Sequence, residues 1–304
     1  MVSNGTLQQS STLIIGQWGG SGHQVTVQAG GMATVGGTIT VGQNAGAVSN
    51  TLLVTSGGCL DSSTWTVGNF AGNRIDNIGG IYQFPSSTPT LTPGAFGNIT
   101  ITNGVVSFRN ITTADVLCNQ SGKPLDSAAK MAWGGTTNAF RLNDATNNAT
   151  GQTYTFQTGT ATNFARLELL NGSLYRGGNV TVGSGGTLVV SNGASTISGS
   201  LTLQSGATFA VCVGTNASAG VLNIGGTLTL GGATLQVTLD SAPAENQPYL
   251  IFNNTSLASG TFGFPMVSAD YAGQSYRLAV RYGAGDGNDV AVVLFPTGSV
   301  FKMR

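Results

Sequence analysis

Three triplets at a fixed interval constrain this chain more than any other feature. Ile14-Ile15-Gly16 returns as Thr40-Val41-Gly42 and again as Thr66-Val67-Gly68, with the glycines spaced by 26 both times (42 − 16 and 68 − 42). The following residues match as well: Gln17-Trp18-Gly19-Gly20, then Gln43-Asn44-Ala45-Gly46, then Asn69-Phe70-Ala71-Gly72. A second strand-and-turn unit lies inside the period. Val25-Thr26-Val27-Gln28-Ala29-Gly30-Gly31 corresponds to Leu52-Leu53-Val54-Thr55-Ser56-Gly57-Gly58, a displacement of 27 (52 − 25).

The pattern resumes after residue 179. Leu188-Val189-Val190-Ser191-Asn192-Gly193-Ala194 becomes Leu201-Thr202-Leu203-Gln204-Ser205-Gly206-Ala207, a shift of 13 (201 − 188), half of 26. Each unit reads as a short alternating strand ended by Gly, Asn or Ser at a turn. One such strand buries a single face and cannot fold alone, whereas stacked neighbours join those faces into a continuous core. The expected fold is therefore all-β, a β-solenoid. Its core face holds Val25, Val27, Leu188, Val190, Leu201 and Leu203, with Thr and Gln toward water. The expected organisation is solenoid coils over residues 1–242, a β-rich C-terminal closing module over 243–295 and a tail over 296–304. Residues 105–175 break the pattern and read as coils with longer insertions, where Asp126 would cap one helical turn. Closure is expected because an open solenoid end pairs with other chains.

Charge narrows the function. Only 7% of residues are charged, and eleven basic side chains balance eleven acidic ones. With no basic stripe to neutralise phosphates, nucleic acid is not an expected partner. A surface of Thr, Ser, Asn and Gln repels its own copies weakly, which favours self-association. No apolar run approaches the roughly 20 residues of a membrane-spanning helix. Residues 1–11 lack the basic start and apolar stretch of a signal peptide, so the export signal of a secreted chain is expected to lie outside this sequence.

Reactive groups are sparse. The single histidine, His23, sits in a Gly-Ser-Gly setting and reads as an exposed turn residue. Cys59, Cys118 and Cys212 allow at most one disulfide and read as buried thiols. The acids are scattered; a catalytic pair would have to come from different coils, for example Asp115 with Asp144 or Glu168. Gly285-Asp286-Gly287-Asn288-Asp289 resembles one calcium-binding nonapeptide. It reads first as a tight turn between strands at 278–282 and 290–294. Trp18, Trp65 and Trp133 are candidates for stacking on sugars, although Trp18 shares a repeat position with Phe70, which suggests packing. No catalytic, cofactor-binding or metal-ligating set emerges, and an enzyme is not expected.

The recurring "TVG…GG" turns of residues 40–72 and the run Gly178-Asn179-Val180-Thr181-Val182-Gly183-Ser184-Gly185-Gly186-Thr187-Leu188 resemble the autotransporter-associated β-strand repeat proteins. The ending Tyr276-Arg277-Leu278-Ala279-Val280-Arg281-Tyr282-Gly283-Ala284-Gly285-Asp286-Gly287-Asn288-Asp289-Val290 is similar to the close common in such chains, with Ala284 at one glycine position. The resemblance implies export and a right-handed parallel β-helix, but no catalytic activity. The expected role is a non-catalytic extracellular or cell-surface solenoid, structural or adhesive, self-assembling into fibres or an envelope or matrix layer. A glycan-binding or polysaccharide-cleaving β-helix is the alternative, with surface glycans as partners. A viral tail-fibre segment is the third option.

Overall fold

The computed structural model describes residues 1–295 apart from 63, 69–70, 85–89, 94–97, 103–104, 117–130, 135–138, 149–152, 158–164, 177 and 217–218. All regular structure in the described residues is β. The chain is a parallel β-solenoid closed at its C-terminal end by an antiparallel sheet.

One ladder runs through the whole solenoid. Ten strands pair in parallel in chain order, from Thr6–Gln9 through Cys59–Asp61, Val105–Val116, Ala139–Asn148 and Arg166–Leu170 to Thr234–Leu239. Nine intervals at the usual spacing of about 4.8 Å make it about 43 Å long. Its inward column runs Leu7, Ala33, Leu60 and Tyr82, then Phe140, Leu167, Leu188, Phe209 and Leu235. Alternation delivers these side chains to the interior, where Leu60, Tyr82, Phe140, Leu167, Leu188 and Phe209 lose all contact with water.

The period of 26 holds at every described step of one sheet. Leu13–Ile15, Thr38–Val41, Thr64–Val67 and Thr90–Pro93 stack with Ile14 on Thr40, Thr40 on Thr66 and Thr66 on Thr92, each a sequence step of 26 (40 − 14, 66 − 40 and 92 − 66). The sheet of Gln24–Gln28 and Thr51–Thr55 steps by 27, as Val25 stacks on Leu52, then by 23, as Leu52 stacks on Ile75. Corners between the sheets absorb the differences. After residue 179 the shift of 13 is not a coil, nor half of one. Leu188 and Leu201 lie on neighbouring faces of the same turn: Leu188 stacks on Phe209 and Val180 on Leu201, each a sequence step of 21 (209 − 188 and 201 − 180). Short strands repeat alike on every face, so sequence self-similarity alone does not separate lateral neighbours from vertical ones.

The core face is as expected, with Val27, Leu188, Val190, Leu201 and Leu203 buried and Val25 half-buried against them. Val105 pairs with Ala139 over a sequence step of 34 (139 − 105), and the long ladder continues through it. The proposed cap at Asp126 lies outside the described residues.

The glycine of the repeated triplet has a steric cause. Gly42 has φ +73°, and a Cβ there would overlap the side-chain amide of Asn73 in the next corner. Gly16 has φ +78° and meets Asn50 in the same way. These asparagines form an internal ladder. Asn50 N–H and Nδ2 both donate to Asn73 Oδ1, at 3.0 and 3.1 Å, while Asn73 Nδ2 donates to the Ala47 carbonyl at 2.7 Å. Asn50 Oδ1 accepts from His23 N–H at 3.0 Å, and Asn50 Nδ2 donates to the Gly20 carbonyl at 3.0 Å. Backbone groups that no strand can pair at these corners are thus satisfied by side chains.

At the other end, Pro248–Asn254 stacks in parallel on Gly220–Ile224, then pairs antiparallel with Asp289–Leu294. Gln274–Ala284 pairs with Asp289–Leu294 in the expected register, Leu278 opposite Leu294 and Tyr282 opposite Val290. Met266–Tyr271 completes the antiparallel sheet. Beneath it Phe209, Phe252 and Phe262 stack, with ring centroids 4.3 Å apart for the first pair and 6.3 Å for the others. These rings fill the end of the core.

Candidate functional site

The outer face of the long ladder carries a continuous polar column. Its central outward column runs Thr34, Asp61, Gln83, Ser107, Arg141, Glu168, Val189, Ala210 and Gln236. Six consecutive members, Thr34 to Glu168, are polar, and all but the half-buried Thr34 and Arg141 are buried although they point away from the core. Gln83 Nε2 donates to Asp61 Oδ2 at 2.7 Å. Glu168 is held between two guanidiniums: Arg141 Nε donates to Oε2, and Arg166 Nε donates to Oε1 at 2.5 Å.

This arrangement bears on catalysis. Asp61 and Glu168 are four rungs apart, about 19 Å at the usual strand spacing. Paired carboxylates that cleave glycosidic bonds stand roughly 5–10 Å apart. Both Glu168 oxygens are engaged in ion pairs, which suits a structural clamp. The side chains of Asp115 and Asp144 lie outside the described residues, so Glu168 is the described member of the suggested pairs. Beyond Glu168 the column turns apolar, and Val189 and Ala210 floor an open groove of about 460 Å³ edged by Arg166, Cys212, Gln236 and Thr238.

The tryptophans divide. Trp65 is fully buried, edge-on to Tyr82 with centroids 4.6 Å apart and 4.9 Å from Phe84, so it fills the core and offers no face to a sugar. Burial, followed by the negative charge of Asp76, pushes the Tyr82 hydroxyl well above the ordinary tyrosine pKa. Trp18 is 80% exposed, which corrects the packing role its repeat position suggested. It stands at φ +53° on the corner before Gln24–Gln28, next in sequence to Gln17, which with His23 and Gln24 edges a cleft of about 340 Å³ that Trp18 itself does not line. The Trp133 side chain and Phe70 lie outside the described residues. His23 is an exposed corner residue, as expected, and occupies the ladder position filled by Asn50 and Asn73 in the next coils.

Cys59 and Cys212 carry thiols and are half-buried rather than fully buried. They sit six rungs apart on the long ladder, about 29 Å, whereas a disulfide needs Cα atoms within about 7 Å. Cys118 lies outside the described residues. Among the described residues no three His, Cys, Asp or Glu side chains gather around a common point.

The Gly285–Asp289 segment forms the expected turn, and Asp289 does more than end it. Its buried Oδ1 accepts from Asn254 N–H at 2.9 Å, and Asn254 Nδ2 donates to the Asn288 carbonyl at 3.1 Å. The turn is thereby tied to the last strand stacked on Gly220–Ile224. Neither this tie nor the polar column was legible in sequence, because the partners lie far apart along the chain in one case and on coils of unequal length in the other. Asn50 and Asn73, each directly before a strand, were the one local signal for the asparagine ladder.

The geometry defines a class: a parallel β-solenoid repeat protein with a mixed-topology closing sheet. No family model matches the chain, and no curated protein or solved structure shows significant similarity to it.

Proposed function

We propose that this chain is a non-catalytic structural or adhesive solenoid of the cell exterior, akin to the autotransporter-associated repeat proteins, that self-assembles into fibres or an envelope or matrix layer. The observation that carries the reading is the engagement of the polar groups on the long ladder. Asp61 and Glu168 are tied to neighbouring coils and separated by four rungs, so they hold the stack together instead of facing a substrate. The low charge of 7% adds to it, since copies with such surfaces repel one another weakly. Light scattering across a dilution series, with negative-stain imaging, tests it. Concentration-dependent mass and ordered fibres or layers are expected. Dispersed monomers at every concentration, with no affinity for cells or glycans, refute it.

Glycan binding is the second reading, and the exposure of Trp18 on a corner rich in Gln favours it. An exposed aromatic face suits the apolar face of a sugar ring. A polysaccharide panel should show binding that Trp18→Ala removes while product size stays unchanged. Shortened products would make the chain a glycan-cleaving enzyme.

A further inference from the structure

We propose that the turn between Gln274–Ala284 and Asp289–Leu294, together with the end of Pro248–Asn254, binds one hard divalent cation, calcium by its ligand type. Three observations converge there. Asp289 is 4% exposed, and none of the described basic side chains pairs with its carboxylate. Its Oδ2 lies so close to Gly285 that a Cβ on that residue would overlap it. Asn254, also 4% exposed, has a buried Oδ1 that receives no hydrogen bond, and so has Asn288.

Hydrogen bonds bring Asn254 against Asn288 and Asp289. Asn254 N–H donates to Asp289 Oδ1 and Asn254 Nδ2 to the Asn288 carbonyl, which fixes the orientation of the Asn254 amide beside the turn. Two buried acceptors without donors and a buried charge without a counter-charge are each unfavourable, and native structures pair nearly all such groups. A single cation would satisfy all three.

The donors are all oxygen, which selects magnesium or calcium over softer metals. Magnesium demands near-ideal octahedral geometry, whereas calcium accepts six to eight oxygens in a flexible shell. An irregular set of one carboxylate and two amides suits calcium, and exposed Gly285, Asp286 and Gly287 leave room for water to complete the shell. This differs from a site shared between successive repeat turns. Its ligands come from one turn and one adjacent strand, so no second copy of the motif is required. The ion would fasten the closing sheet to the last coil.

The test uses the full chain, stripped with EDTA and titrated with CaCl2 in a calorimeter, with melting followed by circular dichroism. Binding heat with a dissociation constant of about 10⁻⁴–10⁻³ M is expected, the range of extracellular calcium modules. At about ten times that concentration the melting temperature should rise by about 2–4 °C. Asp289→Asn keeps an acceptor for Asn254 N–H but removes the charge, and should lose both signals. Asn288→Asp adds a second carboxylate; it should melt lower than wild type in EDTA and bind calcium about tenfold more tightly. No heat with unchanged melting in the wild type overturns the proposal, as does an undiminished calcium response in Asp289→Asn. If Asp289→Asn does not fold, Asn288→Asp decides: equal destabilisation with and without calcium overturns the site.

Discussion

The steric partnership between Gly42 and Asn73 leads to a quantitative prediction. Asn73→Ala removes the acceptor of Asn50 N–H and the donor to the Ala47 carbonyl, at a position where Asn50, Asn73 and Ala47 are all 0% exposed. Each buried orphan costs about 1–3 kcal/mol, so the loss of two partners should cost about 2–6 kcal/mol. Gly42→Ala drives a methyl group into the Asn73 side-chain amide at a φ of +73°. Left-handed strain of about 1–2 kcal/mol adds to the displacement of a side chain that has no free space, about 2–4 kcal/mol in all. In the double variant the truncated side chain at 73 vacates the space the new methyl needs. Only the left-handed strain then remains of the glycine's share. The double variant should therefore be about 1–2 kcal/mol more stable than the sum of the singles predicts. Urea unfolding of the four proteins, followed by circular dichroism, measures the coupling. Additivity within about 0.5 kcal/mol would show that the glycine is needed for its backbone angle alone, and the steric account would be wrong.

Other outcomes follow from the same structure. Trp65→Ala should destabilise the chain by about 3–5 kcal/mol through loss of a fully buried aromatic, whereas Trp18→Ala should change unfolding by less than about 0.5 kcal/mol; both are read from denaturant midpoints. Glu168→Gln leaves Arg141 and Arg166 without their counter-charge and should cost about 2–4 kcal/mol, with partial recovery when Arg141, the less exposed of the two, is also made Met. The raised Tyr82 pKa sets a sign for alkaline stability. The unfolded tyrosine loses its proton near pH 10 while the folded one keeps it, so stability is full below about pH 10 and declines above it. Tyr82→Phe should flatten that alkaline decline in a pH series of urea midpoints; an unchanged slope would exclude Tyr82 as its source.

How much of this was legible beforehand depends on where the controlling partner sits. Alternation is local, so Val27, Leu188 and Leu203 were correctly assigned to the core, and the hairpin pairing of Tyr282 with Val290 followed from the turn between them. The interval of 26 was a true register on one sheet, because the corner from Gly42 to Asn50 and its neighbours hold that sheet's geometry constant. The interval of 13 misled, since lateral and vertical neighbours carry the same Leu-x-Leu signature. The polar column was invisible: Asp61, Gln83, Ser107, Arg141 and Glu168 follow one another at unequal steps of 22, 24, 34 and 27 (83 − 61, 107 − 83, 141 − 107, 168 − 141). Only pairing aligns them. The exposure of Trp18 and the burial of Trp65 likewise depend on which side of a corner each falls, which composition does not encode.

The long ladder keeps its step while the sequence separation between paired rungs varies from 21, Leu188 to Phe209, to 34, Val105 to Ala139. Length added to a coil therefore does not stretch the axis, and the ladder behaves as a graduated ruler whose marks stay put however much chain runs between them. Segments grafted into successive corners would stand in a row at roughly 4.8 Å increments, a density of side-by-side display that separate domains joined by linkers do not reach.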